Sequence, residues 1–419
     1  MNIANRRWRV TCAVLLMMGC MMQVYAQKIN IKTGIEVLKA DNFKLLEGKR
    51  VGLITNPTGV DNNMVSDIDI LAQAPNVNLV ALFGPEHGVR GNAYAGDAVN
   101  DSIDQATGLP VRSLYGKTRK ATPEMLADID VLVYDIQDIG CRSFTYISSM
   151  GLAMETAAEC GKEFIVLDRP NPLGGEKVEG NLVEEDCVSF VSQFPIPYVY
   201  GLTCGELALM LNGERMLKGG VQCDLKVVKM KGWKRRMNYE QTGLQWIPSS
   251  PHIPNVCSPY FYPATGILGE FGFVSIGVGY TIPFQMVAAP WIKADEYARA
   301  LNDLHLPGVT FRPIYAKPFY AVAQGEQVQG VQIHFTDYRK AALSDLNFLL
   351  MQEAARLYPD QKVFEKADKG RYNMFDKVCG SKSVRENFAR NHRWADVRDI
   401  WYKDAKAFCQ LSRKYWLYR

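Results

Sequence analysis

The chain has 419 residues, 47% of them hydrophobic, with 48 lysines and arginines against 44 aspartates and glutamates. A formal charge of +4, spread through mixed-sign sequence, argues against a nucleic-acid binder, which needs a strongly basic face. After the N-terminal stretch no apolar run is long enough to cross a bilayer as a helix, and the length leaves room for two domains of ordinary size.

Residues 1–26 read as an export signal. Arg6, Arg7 and Arg9 form a basic front, residues 10–22 are apolar, and Val24-Tyr25-Ala26 is a small-x-small cleavage site, which predicts a mature start near Gln27. Leu16-Met17-Met18-Gly19-Cys20 also resembles a loose lipoprotein box, the alternative being acylation at Cys20. The expected location is therefore periplasmic or extracellular. Eight cysteines follow the signal, none in a Cys-x-x-Cys spacing, so neither a disulfide nor a zinc site is assigned.

From residue 50 onward, strand and helix signals alternate. Residues 50–55, 78–83, 131–135 and 164–168 are short apolar runs of buried-strand type, and helices are expected over 66–73, from Thr122-Pro123, and over 146–160. This pattern predicts an α/β fold with a Rossmann-like parallel sheet. Strand ends in such a sheet share one edge, where ligands bind. Four ends carry polar chemistry: Asn56-Pro57-Thr58-Gly59, then Glu86-His87 with Arg90, then Asp135 through Asp138 to Arg142, then Asp168-Arg169-Pro170-Asn171. Their convergence predicts an active site. Glu206 is set apart from it, because Thr203 and Glu206 form a capping box opening an apolar helix.

No Gly-x-Gly-x-x-Gly, Walker loop or Gly-x-Ser-x-Gly elbow is present, so neither a dinucleotide nor a serine nucleophile is expected. No cofactor and no metal are expected either. Five prolines between Trp246 and Pro263 predict a domain junction that interrupts regular structure. The boundaries are then 27–250 for the Rossmann-like catalytic domain and 251–419 for a smaller α+β domain, with His252 and Asn255 reaching into the cleft between them.

Set side by side, these motifs resemble those of the exo-β-N-acetylmuramidases of the NamZ type, formerly a family of unknown function. The pieces that carry the resemblance are Gly52 through Gly59, Phe83 through Gly91, Tyr134 through Gly140, Asp168 through Pro172, Tyr200 through Thr203 and Ala289 through Ile292, in one order along nearly the whole mature chain. The resemblance implies release of N-acetylmuramic acid from non-reducing ends of peptidoglycan glycan fragments, with a glycan or muropeptide as partner. It implies Glu86 as catalytic acid with His87 tuning it, and Asp135 or Asp138 as base or nucleophile, unless the substrate's acetamide attacks instead. Asn56, Arg90, Arg142, Arg169, Asn171, His252 and Asn255 are then the candidate substrate-binding residues, the arginines for the muramyl carboxylate.

The chain departs from the family pattern at Ser250-Pro251-His252-Ile253-Pro254, where asparagine is usual for His252, and at residues 270–281, where a Glu-Gly-Thr-Asn and a Gly-Arg-Gly-Thr are replaced. These departures leave open another amino sugar, a 1,6-anhydro terminus or a peptide-trimmed disaccharide. Two other readings stay open: a non-catalytic binder of amino sugars or muropeptides using the same cleft, and a metal-dependent hydrolase grouping His87, Asp135, Asp138 and His252.

Overall fold

The strand at residues Arg50–Thr55 (β1) is buried at five of its six positions, and everything else in the first domain is placed around it. The computed structural model describes residues 31–91, 93, 96–367 and 369–419; the export signal and Cys20 lie outside them. Beside β1 stand Asn78–Gly84 (β2) on one side and Val131–Asp135 (β5) on the other, both parallel to it. Ser102–Ile103 (β3) and Pro110–Ser113 (β4) extend the β2 side, and Glu163–Leu167 (β6) and Asp224–Val228 (β7) extend the β5 side. The order is β3-β4-β2-β1-β5-β6-β7, parallel throughout except for β3.

Because successive side chains of a strand point to opposite faces, these continuous apolar runs feed two cores. Ile54, Phe83, Tyr134 and Phe164 pack under Tyr146–Glu159 (α3) and Cys204–Gly213 (α4). Leu53, Leu82, Val133 and Ile165 pack under Gly34–Ala40 (α1) and Asp67–Gln73 (α2). Chain order reverses at β1, whose neighbours β2 and β5 lie on opposite sides. That switch point opens a crevice at the carboxyl ends of the strands.

The second domain is built on Met286–Ala289 (β8), Val309–Ala316 (β9) and Val328–Phe335 (β10), an antiparallel sheet of order β8-β10-β9. Ser258–Gly269 (α5), Ala294–Asn302 (α6) and Asp345–Leu357 (α7) pack against it and around it. Lys369–Cys379 (α8), Lys382–Asn391 (α9), Arg398–Tyr402 (α10) and Ala405–Ser412 (α11) complete the chain. Its core is continuous with the first domain through Ile139, Cys141, Tyr198 and Val199.

Two expectations are corrected. The proline-rich junction does not stay irregular: α5 starts with Pro259 in its first turn and runs through Pro263. A proline in the first turn forfeits no bond, and Pro263 removes one, while Tyr260, Phe261, Ala264, Ile267 and Leu268 are buried. Burial outweighs the missing bond. Conversely, Thr122-Pro123 leads only into a single 3-10 turn at Glu124–Leu126, too short to present an apolar face.

Candidate active site

The loop after β2 turns sharply, with His87 at φ 72° and Gly88 at φ 74°. A histidine tolerates this left-handed geometry more readily than most residues, and its ring is fixed by Nδ1 donating to the Ala93 carbonyl at 3.0 Å. Only Nδ1–H can donate to a carbonyl, so Nε2 carries no proton in the neutral ring. The turn sends Glu86 into a cavity of ≈ 310 Å³ where the two domains meet. The first domain contributes Glu86, His87, Tyr115, Arg119, Thr145 and Tyr146; His252 comes from the junction, and Tyr262, Phe284 and Met374 from the second domain.

Among the described residues lining this cavity, Glu86 is the one carboxyl. Its Oε1 accepts from the Gly96 amide at 3.0 Å and its Oε2 from the Thr145 hydroxyl at 3.1 Å. Tyr146, whose phenol donates to the Ser249 carbonyl at 2.6 Å, forms the floor. Burial pushes that phenol well up, a hydrogen bond from Asn56 opposes it, and the charges of Glu86 and Asp138 push it further. Burial, with His87 nearby, pulls the His252 imidazole below its ordinary value.

Asp138 lies behind the cavity, 5% exposed. Its Oδ2 accepts from the Gly140 amide at 2.6 Å and from the Tyr200 phenol, while no described residue bonds Oδ1. Burial raises the carboxyl to about 7 against the pull of those donors. Asn56, at the end of β1, accepts at Oδ1 from the Thr58 amide and hydroxyl, and its side-chain amide faces the Tyr146 phenol.

The other expected residues are engaged elsewhere. Asp135 is fully buried and closed by Arg169 in a two-point ion pair, Nε to Oδ1 at 2.5 Å and Nη2 to Oδ2 at 3.0 Å. That pairing takes both residues out of the cavity; Arg169 borders a separate ≈ 90 Å³ pocket with Gln137 and Tyr239. Arg142, 1% exposed, donates to the carbonyls of Asn181, Ile196 and Val378 and to the Ser192 hydroxyl, tying the first domain to α8. Arg90 holds Asp104 and Asp69 beside another cavity. The side chain of Asn171 bonds the Leu173 amide and the Leu202 carbonyl, and Asn255 is exposed in a turn onto Ser258. None of these five borders the Glu86 cavity, nor does Asp135.

Sequence reasoning missed Tyr115, Arg119, Thr145, Tyr146 and Tyr262. Tyr262 lies inside α5 and the others stand in loops or at the start of α3, and nothing in their spacing marks them. The grouping of His87, Asp135, Asp138 and His252 around an ion is not formed: Asp135 is spent on Arg169, and among the described residues no three His, Cys, Asp or Glu side chains gather as ligands.

Comparison with known proteins agrees with this architecture at both domains. Residues 51–257 match the family described as exo-β-N-acetylmuramidase NamZ, N-terminal, and residues 260–418 match its C-terminal counterpart. A peptidoglycan β-N-acetylmuramidase NamZ of Bacillus subtilis (strain 168) is 45% identical over 393 residues, covering 94% of this chain and 92% of that protein. A DUF1343 family protein of Bacteroides fragilis NCTC 9343 (BF0371) superposes with a TM-score of 0.90 at 68% identity, covering 93% of this chain and all of the other. A second from the same organism (BF0379) has a TM-score of 0.74 at 29% identity, covering 93% and 99%. With both halves matched in order and a relative at this identity over nearly its whole length, the chain belongs to the NamZ family of exo-β-N-acetylmuramidases.

Proposed function

We propose that this protein is an exo-acting glycosidase that releases N-acetylmuramic acid from the non-reducing ends of peptidoglycan glycan fragments. The observation that carries the reading is Glu86, the one carboxyl among the described residues lining an interdomain cavity of sugar size, in a chain of this family. Glu86 gives its proton to the leaving glycosidic oxygen as the C1–O bond breaks. For the second carboxyl we propose Asp138, which is buried outside the cavity lining, so that the water adding at C1, whose proton it takes, or the sugar acetamide it orients must reach it past Tyr146. His87, held by Ala93, packs the Glu86 turn, and its position beside His252 disfavours a second positive charge at the acid. The basic front, apolar run and Val24-Tyr25-Ala26 support export to the compartment where such glycans lie.

The test is hydrolysis of a chromogenic β-N-acetylmuramide, with the matching β-N-acetylglucosaminide as control, with and without EDTA. Cleavage of the muramide alone, unaffected by EDTA, is expected. Glu86→Gln should lower turnover by about 10²- to 10⁴-fold with unchanged unfolding behaviour. Wild-type turnover in that variant would remove Glu86 from the chemistry.

A further inference from the structure

The cavity that holds Glu86 has a cation at its mouth. Arg119 is the one lysine or arginine among its described lining residues. Its guanidinium carbon stands 4.5 Å from the Tyr115 ring centre and 4.3 Å from that of Phe190, with the two rings 6.0 Å apart. Such stacking fixes the plane of a guanidinium; one N–H of Arg119 meets the Tyr115 phenol, and a guanidinium carries five N–H donors in all. Arg119 is exposed, and among the described residues no carboxylate lies within ion-pair distance of it. The neighbouring Tyr115 faces both Glu86 and Arg119: burial and the Glu86 charge raise its phenol, and Arg119 opposes them. An oriented guanidinium with no acidic partner therefore shares a cavity wall with the carboxyl that meets the glycosidic bond.

We infer that Arg119 binds the carboxylate of the sugar and selects a muramyl over a glucosaminyl residue. The inference rests on the glycosidase reading, because N-acetylmuramic acid differs from N-acetylglucosamine only by a lactyl ether whose carboxylate is the anion to be read. The fixed planar fork suits a two-point carboxylate contact, which a lysine cannot reproduce. The same logic sets a preference within muramyl substrates. A lactyl group already joined to a peptide is an amide and carries no charge there, although the peptide's own terminal carboxylate is a second anion of the same chemistry.

The experiment compares wild type, Arg119→Gln and Arg119→Lys in the full mature chain, using three probes: chromogenic β-N-acetylmuramide, the same glycoside with a dipeptide on the lactyl group, and the β-glucosaminide. Direct calorimetric binding of free N-acetylmuramic acid and N-acetylglucosamine is run in parallel. Charge-assisted hydrogen bonds of this kind correspond to about 10- to 100-fold in affinity. Arg119→Gln is therefore expected to raise the muramide KM by about that factor with kcat nearly unchanged, to leave glucosaminide handling as it was, and to be rescued only in part by Arg119→Lys. Loss on the simple muramide alone assigns the lactyl carboxylate, and loss on the dipeptide form alone assigns the peptide carboxylate and overturns the lactyl assignment. An unchanged muramide-to-glucosaminide ratio overturns the inference altogether. Should wild type cleave no probe, the glycosidase reading falls, and binding decides separately. Tighter capture of N-acetylmuramic acid than of N-acetylglucosamine, abolished by Arg119→Gln, keeps the carboxylate site, and equal affinities remove it.

Discussion

Asp138 combines two properties that are seldom found together in a residue kept for stability: it is buried, and one of its oxygens is unsatisfied. A carboxyl raised to about 7 by burial is half ionised near neutral pH, which suits a group that must take up a proton during turnover. Asn in its place keeps an acceptor for the Gly140 amide and the Tyr200 phenol and removes a buried charge. Wild type is expected to gain activity as pH climbs through about 7, and Asp138→Asn to lose that rise, to lower kcat by about 10²- to 10⁴-fold and to be at least as stable as wild type above that pH. Activity measured from acid to alkaline pH beside urea unfolding checks this; a variant that is active but unstable would make Asp138 structural. At this scale the sequence was half legible. Strand-end position made Glu86 and Asp138 candidates, and Glu86 lines the interdomain cavity, but it could not show that Asp135 would be closed by Arg169 or that the long side chain of Arg142 would end on the carbonyls of Asn181, Ile196 and Val378. Which partner a charged side chain meets depends on contacts from 34 to 236 residues apart, and Arg119 shows the converse, a cation in an unremarkable loop delivered to the cavity by folding.

The turn that follows β5 depends on one backbone conformation. Gly140 has φ 80°, and a Cβ there would come within 2.4 Å of Asn171 Oδ1, a buried side chain fixed to Leu173 and Leu202. Gly161, closing α3, has φ 62° and open space around the missing Cβ. Alanine at Gly161 then meets only the left-handed strain, about 1 to 2 kcal/mol. Alanine at Gly140 meets the same strain and a clash that shifts the Gly140 amide from Asp138. Gly140→Ala is expected to lose more stability than Gly161→Ala and also activity, whereas Gly161→Ala keeps its kcat; urea midpoints with constant slope and a muramide assay separate them. Equal losses at the two sites would mean that the Asn171 contact relaxes freely. Among elements, those whose side chains are buried on both faces were readable: β1, β2, β5 and β6 are unbroken apolar runs. Edge strand β7, Asp-Leu-Lys-Val-Val, is exposed or half-buried throughout, and β4 starts on a proline. Neither carries a pattern that separates it from a loop, and α5 hides behind prolines that its burial overrides.

The two domains are joined by a polar seam as well as by shared core, and that seam should make the stability of the whole molecule depend on pH. Glu179 of the first domain accepts the Leu343 amide at 3.1 Å and the Ser344 amide at 2.7 Å, just ahead of α7. Asp345, the first residue of that helix, receives the Tyr402 phenol at 2.6 Å. A helix start favours a negative charge, yet burial, with the Glu179 charge adding to it, raises the Asp345 carboxyl to about 7 against Tyr402, Arg398 and Lys177. Its unfolded value is near about 3.9. Between these two values the folded state holds the proton more tightly than the unfolded chain, so stability falls as pH rises from about 4 to about 7 and is flat beyond. The stabilisation is fully present only below the lower value. Asp345→Asn keeps an acceptor for Tyr402 and does not titrate. It is expected to match wild type below pH ~4 and to exceed it above pH ~7 by about 2 to 4 kcal/mol, read as a higher urea midpoint at the alkaline end and a shallower pH slope. A variant less stable than wild type at both ends would mean that the carboxylate is held charged by Lys177 and Arg398, and that the seam gains from the ion rather than tolerating it.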